Sequence, residues 1–218
     1  MNVINQAISG QDFGCIFLKY VYTRLEEIET IYEQCKDSCD VIFFSGELGY
    51  SYMLTHVSNI QIPCTFVSYE EKHILSILLN FVIRYPEIPL NRIYIDFLTP
   101  VNDFMNLKQY LAPNYMPYVF ENPVYNYHTL KERAEELWSQ KKIDMMLTRT
   151  TNQLDVLNKL KIPYIHFLPT EQMVRDSIRT AIDTIRLKQR IQSSKLVILI
   201  KLIYPEHITS QDREYLEI

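Results

Sequence analysis

The stretch Asp40-Val41-Ile42-Phe43-Phe44-Ser45 decides the fold prediction, because a continuous apolar run ends here at a small polar residue. A run of this kind, without polar alternation, is typical of a strand buried inside a parallel sheet. Apolar side chains from Tyr50 to Val57 then recur at helical spacing. Ile62-Pro63 opens a second apolar run that ends near Val67. The segment therefore predicts a strand–helix–strand unit.

A second copy of this pattern begins at Asp144. An apolar run ends at Thr148, a helical segment follows, and Ile162-Pro163 opens the next strand. Any two strand–helix–strand units share this composition, so the similarity alone does not require a duplication. The repeated Ile-Pro and the hydroxyl residue after each strand, Ser45 and Thr148, favour duplication.

Strands and helices alternate along most of the chain, which indicates an α/β fold with parallel sheets. We expect two similar lobes, each a parallel sheet flanked by helices, and a long C-terminal helix leading to a further strand. The expected boundaries are 1–88 for the first lobe and 89–192 for the second. Residues 193–218 are expected to begin a further, truncated output or linker domain. The same reasoning predicts a buried strand over Cys15–Tyr20 and a helix through Phe104, Leu107 and Leu111.

Composition narrows the function classes. The 218 residues carry a net charge of −4, so no overall positive field recruits nucleic acid or an anionic membrane. The longest apolar runs, such as Leu196–Ile200, are far shorter than the roughly 20 residues that span a bilayer. No signal-peptide pattern is apparent at the N-terminus. We therefore expect a cytoplasmic protein without membrane contact.

Motifs that carry cofactor or metal chemistry are absent from the sequence. The four glycines form neither of the standard phosphate-binding loops, and the five histidines form no metal-ligand pair. Cys35 and Cys39 lack redox or zinc spacing, and Cys15 and Cys64 lie in apolar runs that predict buried structural thiols. We expect no cofactor, no metal, no catalytic constellation and therefore no enzyme.

The chain from about residue 20 to 190 resembles the two-lobed sensory domains that are fused to bacterial transcriptional regulators. It is similar to the N-terminal effector domain of propionate-catabolism activators and, more distantly, to the lobes of periplasmic binding proteins. The stretches that carry the resemblance are 40–46 with Tyr50, 62–63, 142–148, 161–163 and 169–171. The resemblance implies that a small effector binds between the lobes and that an output module reads the bound state. No helix-turn-helix is recognisable in this chain, so DNA would be reached only through a module outside it.

Ligands of open parallel sheets bind beyond the carboxyl ends of the strands. This rule selects the candidate ligand-binding residues Ser45, Gly46, Glu47, Tyr50, Tyr69, Asp96, Thr148, Arg149 and Thr150. Ser45 and Thr148 have an alternative role as caps of the following helices. Arg149 near a helix start suits a carboxylate or phosphate. Its alternative is a surface ion pair with Asp155 or with a neighbouring lobe.

Three functions remain open at this stage. The leading expectation is a sensor in signal transduction and transcription regulation, which binds a small effector, an anion being the candidate class, between its lobes. The first alternative is an enzyme for a small phosphorylated or carboxylated metabolite, with Asp96 and Glu47 as acid and base. The second is a dimerisation domain without a ligand, in which a homodimer forms through the apolar stripe from Val174 to Ile185. A buried arginine at position 149 without a full set of partners would favour the sensor, because a buried guanidinium requires an anion.

Overall fold

The structure is a computed structural model that describes residues 2–193. Seven α-helices and six strands lie within this range. The helices are α1 (Asn2–Ile8), α2 (Glu27–Cys35), α3 (Glu47–His56), α4 (Glu71–Arg84), α5 (Tyr127–Ser139), α6 (Leu154–Leu160) and α7 (Glu171–Ser193). The strands are β1 (Ile42–Phe44), β2 (Cys64–Phe66), β3 (Ile93–Ile95), β4 (Tyr118–Val119), β5 (Met145–Thr148) and β6 (Tyr164–His166).

The strands form two parallel sheets. The first sheet pairs β1 with β2, and the second has the order β4-β3-β5-β6. Apolar side chains fill β3 and β5, and every residue of these two strands is buried, as expected for central strands covered on both faces. The predicted fold class is confirmed: parallel sheets are flanked by helices, and a long helix ends the described part of the chain.

The two strand–helix–strand units share their hydrogen-bonding pattern. The amide of Ile42 donates to the carbonyl of Pro63 at 2.9 Å, and the amide of Met146 donates to the carbonyl of Pro163 at 2.9 Å. At the other end of each pair, Val67 donates to Phe44 and Phe167 donates to Thr148, at 3.1 and 2.8 Å. Phe44 therefore corresponds to Thr148, and Ser45 corresponds to Arg149. The predicted pairing of Ser45 with Thr148 is wrong by one residue.

Two helices each pack against the sheet of the other unit. Ile74, Leu78 and Phe81 of α4, which follows the first sheet, share a hydrophobic cluster with apolar residues of β3 and β5. Val174 and Ile178 of α7, which follows the second sheet, pack with Ala7, Phe13, Phe43 and Val67. This exchange joins the two sheets. It also covers the stripe of α7 with residues of the same chain, and the homodimer through this helix stays a prediction.

Two predicted elements are wrong. Residues 15–20 contain no strand, and Ile16 is 90% exposed while Cys15 is also exposed. The expected helix through Phe104 is a 3₁₀ segment, Pro100–Gln109, in which Asp103 to Asn106 adopt left-handed backbone angles, with φ between 47° and 54°. Each non-glycine residue in that conformation costs about 1–2 kcal/mol, so the surrounding contacts must hold this turn in place.

The first predicted lobe, and the second up to Ile185, fall into one compact unit, Met1–Ile185, whereas residues 186–192 of the second lobe fall outside it. The boundary at residue 88 and the separate third segment stay predictions. Residues 194–218, including the strand expected there, lie outside the described residues. Within residues 2–193, no helix has the length and apolar character that a membrane crossing requires.

Gly49 of α3 gives a test of the packing of the first unit. A Cβ at this position would lie 2.2 Å from Tyr22 Oη and 3.0 Å from Phe44 Cδ1. Alanine normally stabilises a helix relative to glycine by about 1 kcal/mol, but here we expect Gly49→Ala to lower the free energy of unfolding by about 1–3 kcal/mol because of overpacking. Urea denaturation measures this change.

Gly46 serves as the matched control, because a Cβ there meets no atom within 4 Å and its φ of −168° suits any residue. We expect Gly46→Ala to change stability by less than about 0.5 kcal/mol, and Tyr22→Phe to recover part of the Gly49→Ala loss. A Gly49→Ala variant as stable as the Gly46→Ala variant would contradict the close approach of Tyr22.

Candidate functional site

A buried ion pair joins the ends of the two sheets. Glu47 begins α3 directly after β1, and Arg149 directly follows β5. The Glu47 side chain is 1% exposed, the Arg149 side chain is 11% exposed, and Arg149 Nη2 lies 3.5 Å from Glu47 Oε2. The helix dipole favours a carboxylate at the start of α3. The alternative predicted for Arg149 is a surface ion pair with Asp155 or with a neighbouring lobe. The structure pairs Arg149 with Glu47, at the end of the other sheet, but this pair is buried.

Two aromatic rings hold the Arg149 guanidinium. Its Cζ lies 3.9 Å from the centroid of Tyr69 and 4.8 Å from the centroid of Phe97. Both distances are within the range of favourable cation–π contact. Arg149 Nη1 is nevertheless buried without a hydrogen-bond partner, and so is the hydroxyl of Tyr69. Buried donors are almost always paired in folded proteins, so these two adjacent groups mark a place for an acceptor.

Asp96 supplies a second buried carboxylate next to Arg149. It follows β3 and is 1% exposed. Thr148 Oγ1 donates to Asp96 Oδ2 at 2.5 Å, and the amide of Arg149 lies 3.4 Å from Asp96 Oδ1. The amide of Thr150 donates to Thr148 Oγ1 at 3.0 Å, which orients that hydroxyl. Burial raises the pKa of Asp96 to about 6, although Thr148, Arg149 and Thr150 oppose the shift.

Asn102 fixes Glu47 from the second unit. Its Nδ2 donates to Glu47 Oε1 and Oε2 at 3.2 and 2.9 Å and to the Phe97 carbonyl at 2.9 Å. Burial raises the pKa of Glu47, and Arg149, Asn102 and Thr99 each act to lower it. The left-handed turn that starts at Asp103 follows Asn102 directly. Strained backbone of this kind concentrates at functional sites.

Three tyrosines, buried or half-buried, have raised pKa values, and for two of them the carboxylates contribute to the shift. Burial raises the pKa of Tyr125, and the negative charges of Asp96 and Glu47 raise it further. Tyr94, on the same face of β3 as Asp96, is fully buried and its hydroxyl has no partner. Burial raises the pKa of Tyr22 to about 12, with a smaller contribution from Tyr127 in the same direction.

The structure brings together most of the predicted site residues. Six of them form one network through the contacts given above: Glu47, Tyr69, Asp96, Thr148, Arg149 and Thr150. Ser45 is exposed and forms a side-chain hydrogen bond with Tyr22, and Gly46 caps α3 in an extended conformation that requires no glycine. Tyr50 packs its ring on Phe66 at 4.8 Å between centroids.

Three further residues are absent from the predicted set of site residues. Phe97 stacks on Arg149, Asn102 holds Glu47, and Tyr125 lies near both carboxylates. Tyr125 carried a weak signal, because it belongs to a tyrosine-rich stretch before α5. For Phe97, the sequence pattern predicted only the last residue of a buried strand. Asn102 carried no signal, because only the left-handed turn places it beside α3.

The network consists of carboxylates, a guanidinium, hydroxyls and an amide. Within residues 2–193, no group of three or more His, Cys, Asp or Glu side chains is close enough together to hold a metal ion. The chemistry that these residues offer is the binding of a charged small molecule, together with a buried carboxyl that changes protonation near pH 6.

No protein-family model matches this sequence, and no curated protein matches it significantly. Among solved structures, unliganded arylmalonate decarboxylase aligns with a TM-score of 0.27 and 13% sequence identity, over 72% of this chain and 73% of that chain. A similarity this low supports no conclusion about the fold or the activity of the present chain.

The raised pKa of Asp96 predicts how stability changes with pH. The folded pKa of about 6 exceeds the ordinary value of 3.8, so between these values the folded state binds more protons than the unfolded state. The stabilisation is fully present below the unfolded pKa and is lost as pH rises through about 6, at a cost of about 3 kcal/mol. We therefore expect Asp96→Asn to be more stable than the wild type at pH 7.5, and this advantage to disappear below about pH 4.

Asp144→Asn is the control of opposite sign. The Arg92 guanidinium holds the pKa of Asp144 below its ordinary value, so the wild-type carboxylate stabilises the fold above the unfolded pKa and this stabilisation is lost as pH falls through the folded pKa. Urea denaturation from pH 3.5 to 8 measures both variants. If Asp96→Asn is less stable than the wild type by the same amount at every pH, the raised pKa of Asp96 is contradicted, because the free energy of unfolding would then not depend on the charge of this carboxyl.

Proposed function

We propose that this chain is a cytoplasmic, ligand-sensing regulatory domain, which binds a small effector with an anionic group between its two sheets and relays the bound state to an output module of a bacterial transcriptional regulator. The observation that carries the binding part is Arg149 Nη1, a buried guanidinium nitrogen without a hydrogen-bond partner. The regulatory part rests on the resemblance described under Sequence analysis.

The geometry supports an anion at this nitrogen. The rings of Tyr69 and Phe97 fix the plane of the guanidinium, so its free edge has a defined direction before a ligand arrives. Pre-orientation of this kind lowers the entropic cost of binding. A carboxylate or phosphate oxygen at Nη1, with the Tyr69 hydroxyl as a second donor, would pair both of these buried groups.

The position of the site suits a sensor. Glu47 follows the first sheet, whereas Asp96 and Arg149 follow strands of the second. A ligand that contacts both sides has a different affinity for arrangements in which the sheets are closer together or farther apart. Such a difference in affinity is what a ligand needs to shift a conformational equilibrium.

A thermal-shift assay of the full chain tests the binding proposal. The probes are small molecules that carry a carboxylate or phosphate, namely mono-, di- and tricarboxylates, amino acids and phosphate esters, each titrated against the wild type. We expect at least one probe to raise the melting temperature as its concentration increases. The free energy of stabilisation should follow RT ln(1 + [L]/Kd), which is about 2.7 kcal/mol at a probe concentration of a hundred times Kd. Arg149→Gln should lose at least tenfold in affinity for that probe.

Arg92→Gln is the matched control. Arg92 precedes β3 and pairs with Asp144 at 2.5 Å, at the opposite ends of the strands that carry Asp96 and Arg149. We expect this variant to lose stability without the probe but to keep the full ligand-induced shift. A shift that survives in Arg149→Gln, or a wild type that no probe stabilises, would contradict the proposal.

A second candidate function is an enzyme that acts on a carboxylated metabolite. Asp96, whose pKa is raised to about 6, lies in one network with the carboxylate of Glu47, and two carboxyl groups in different environments can act as acid and base. Chromatography of a bound probe after long incubation distinguishes the two. Recovery of the unchanged probe supports the sensor, whereas turnover that Asp96→Asn abolishes supports the enzyme.

A further inference from the structure

The charges of the described site do not balance. Glu47 and Asp96 are both buried, at 2% and 1% exposure, and both lie against Arg149: Glu47 Oε2 is 3.5 Å from Arg149 Nη2, and Asp96 Oδ1 is 3.4 Å from the Arg149 amide. One cation therefore serves two carboxylates. The positive charge of Arg133 lowers the pKa of Tyr94. Arg133 itself pairs with Glu136 at 2.8 Å on the exposed face of α5, however, so its charge is already balanced there.

An anion alone would worsen this imbalance. A carboxylate at Arg149 Nη1 would be the third negative charge around a single guanidinium. Buried charges of like sign disfavour one another strongly, because little water is present to screen them. A ligand that binds well must therefore bring a positive charge of its own to the side of Glu47 and Asp96.

Tyrosines on that side are suited to a cation. Tyr125 packs against the hydrophobic cluster that contains Tyr94, and the Tyr94 hydroxyl is buried without a partner. Aromatic faces and carboxylates together form favourable surroundings for an ammonium group. A protonated amine can also donate three hydrogen bonds, which carboxylate and hydroxyl oxygens accept.

We propose that the ligand of this site is a small zwitterion, whose carboxylate pairs with Arg149 and whose protonated amine lies beside Glu47 and Asp96. This inference rests on the proposed function, because it assigns a chemical class to the effector of that same site. It goes further by requiring two opposite charges in one ligand, and it predicts that neither charge suffices alone.

Isothermal titration calorimetry with matched probes tests the inference. Each L-amino acid is compared with its deaminated acid and its decarboxylated amine, for example alanine with propionate and ethylamine. We expect at least one amino acid to bind, and its two truncated counterparts to bind at least tenfold more weakly. Titration in two buffers of different ionisation enthalpy should show no net proton uptake with the amino acid.

Glu47→Gln separates the role of the amine from that of the carboxylate. The variant keeps the shape of the side chain and removes one negative charge, so it should weaken the amino acid at least tenfold and narrow the gap to the deaminated acid. Glu171→Gln, at the exposed start of α7 where Glu171 pairs with Arg175 at 2.6 Å, is the control and should bind like the wild type.

The possible outcomes separate this inference from the proposed function. Deaminated acids that bind as tightly as the amino acids, with or without proton uptake, would overturn the zwitterion and leave an anion sensor intact. Decarboxylated amines that bind as tightly as the amino acids would contradict the pairing of Arg149 with a ligand carboxylate, on which both the zwitterion inference and the proposed function depend. If neither the amino acids nor the carboxylate and phosphate probes bind, both the inference and the proposed function fail.

Discussion

Burial of the Arg149 guanidinium is the constraint on which the rest of the site depends. Removing a guanidinium from water costs several kcal/mol, and only close, well-directed partners offset this cost. Part of the offset comes from the carboxylate of Glu47 at 3.5 Å and from the rings of Tyr69 and Phe97. One nitrogen lacks a partner, and this incomplete set of partners is the basis of the proposed anion site.

The repeated architecture explains how this guanidinium comes to face Glu47. The carboxyl ends of β1 and β5 are equivalent positions of two similar units, as the matching hydrogen bonds to Pro63 and Pro163 show. The α4 and α7 helices, each packed against the sheet of the other unit, connect the two sheets. At equivalent positions one unit carries a hydroxyl, Ser45, and the other carries a guanidinium. The charge at this site therefore differs between the two halves, although the backbone pattern is the same.

The fold was predictable where packing alone decides it. The runs ending at Phe44 and Leu147 are apolar throughout, and both form parallel strands: β5 is fully buried, whereas β1 is half-buried at Ile42 and Phe43 and buried at Phe44. The run at Cys15–Tyr20 is also mostly apolar, with Lys19 as its one charged residue, but it has no strand partner, and composition cannot reveal whether a partner exists. Single side chains at strand ends were predictable from the rule for parallel sheets, which selected Glu47, Asp96 and Arg149. Their mutual contacts depend on tertiary structure, and so does Asn102, which a left-handed turn brings to Glu47.

Native mass spectrometry of the purified full chain, first under gentle and then under denaturing conditions, tests the central claim most directly. The account predicts that the wild type, either as isolated or after incubation with the amino acids, retains a small molecule that denaturation releases. Arg149→Gln should retain none of it, whereas Arg92→Gln should retain the same mass as the wild type. A wild type that retains nothing under any of these conditions, or an Arg149→Gln variant that retains the molecule equally well, would contradict the claim that Arg149 is held for a ligand.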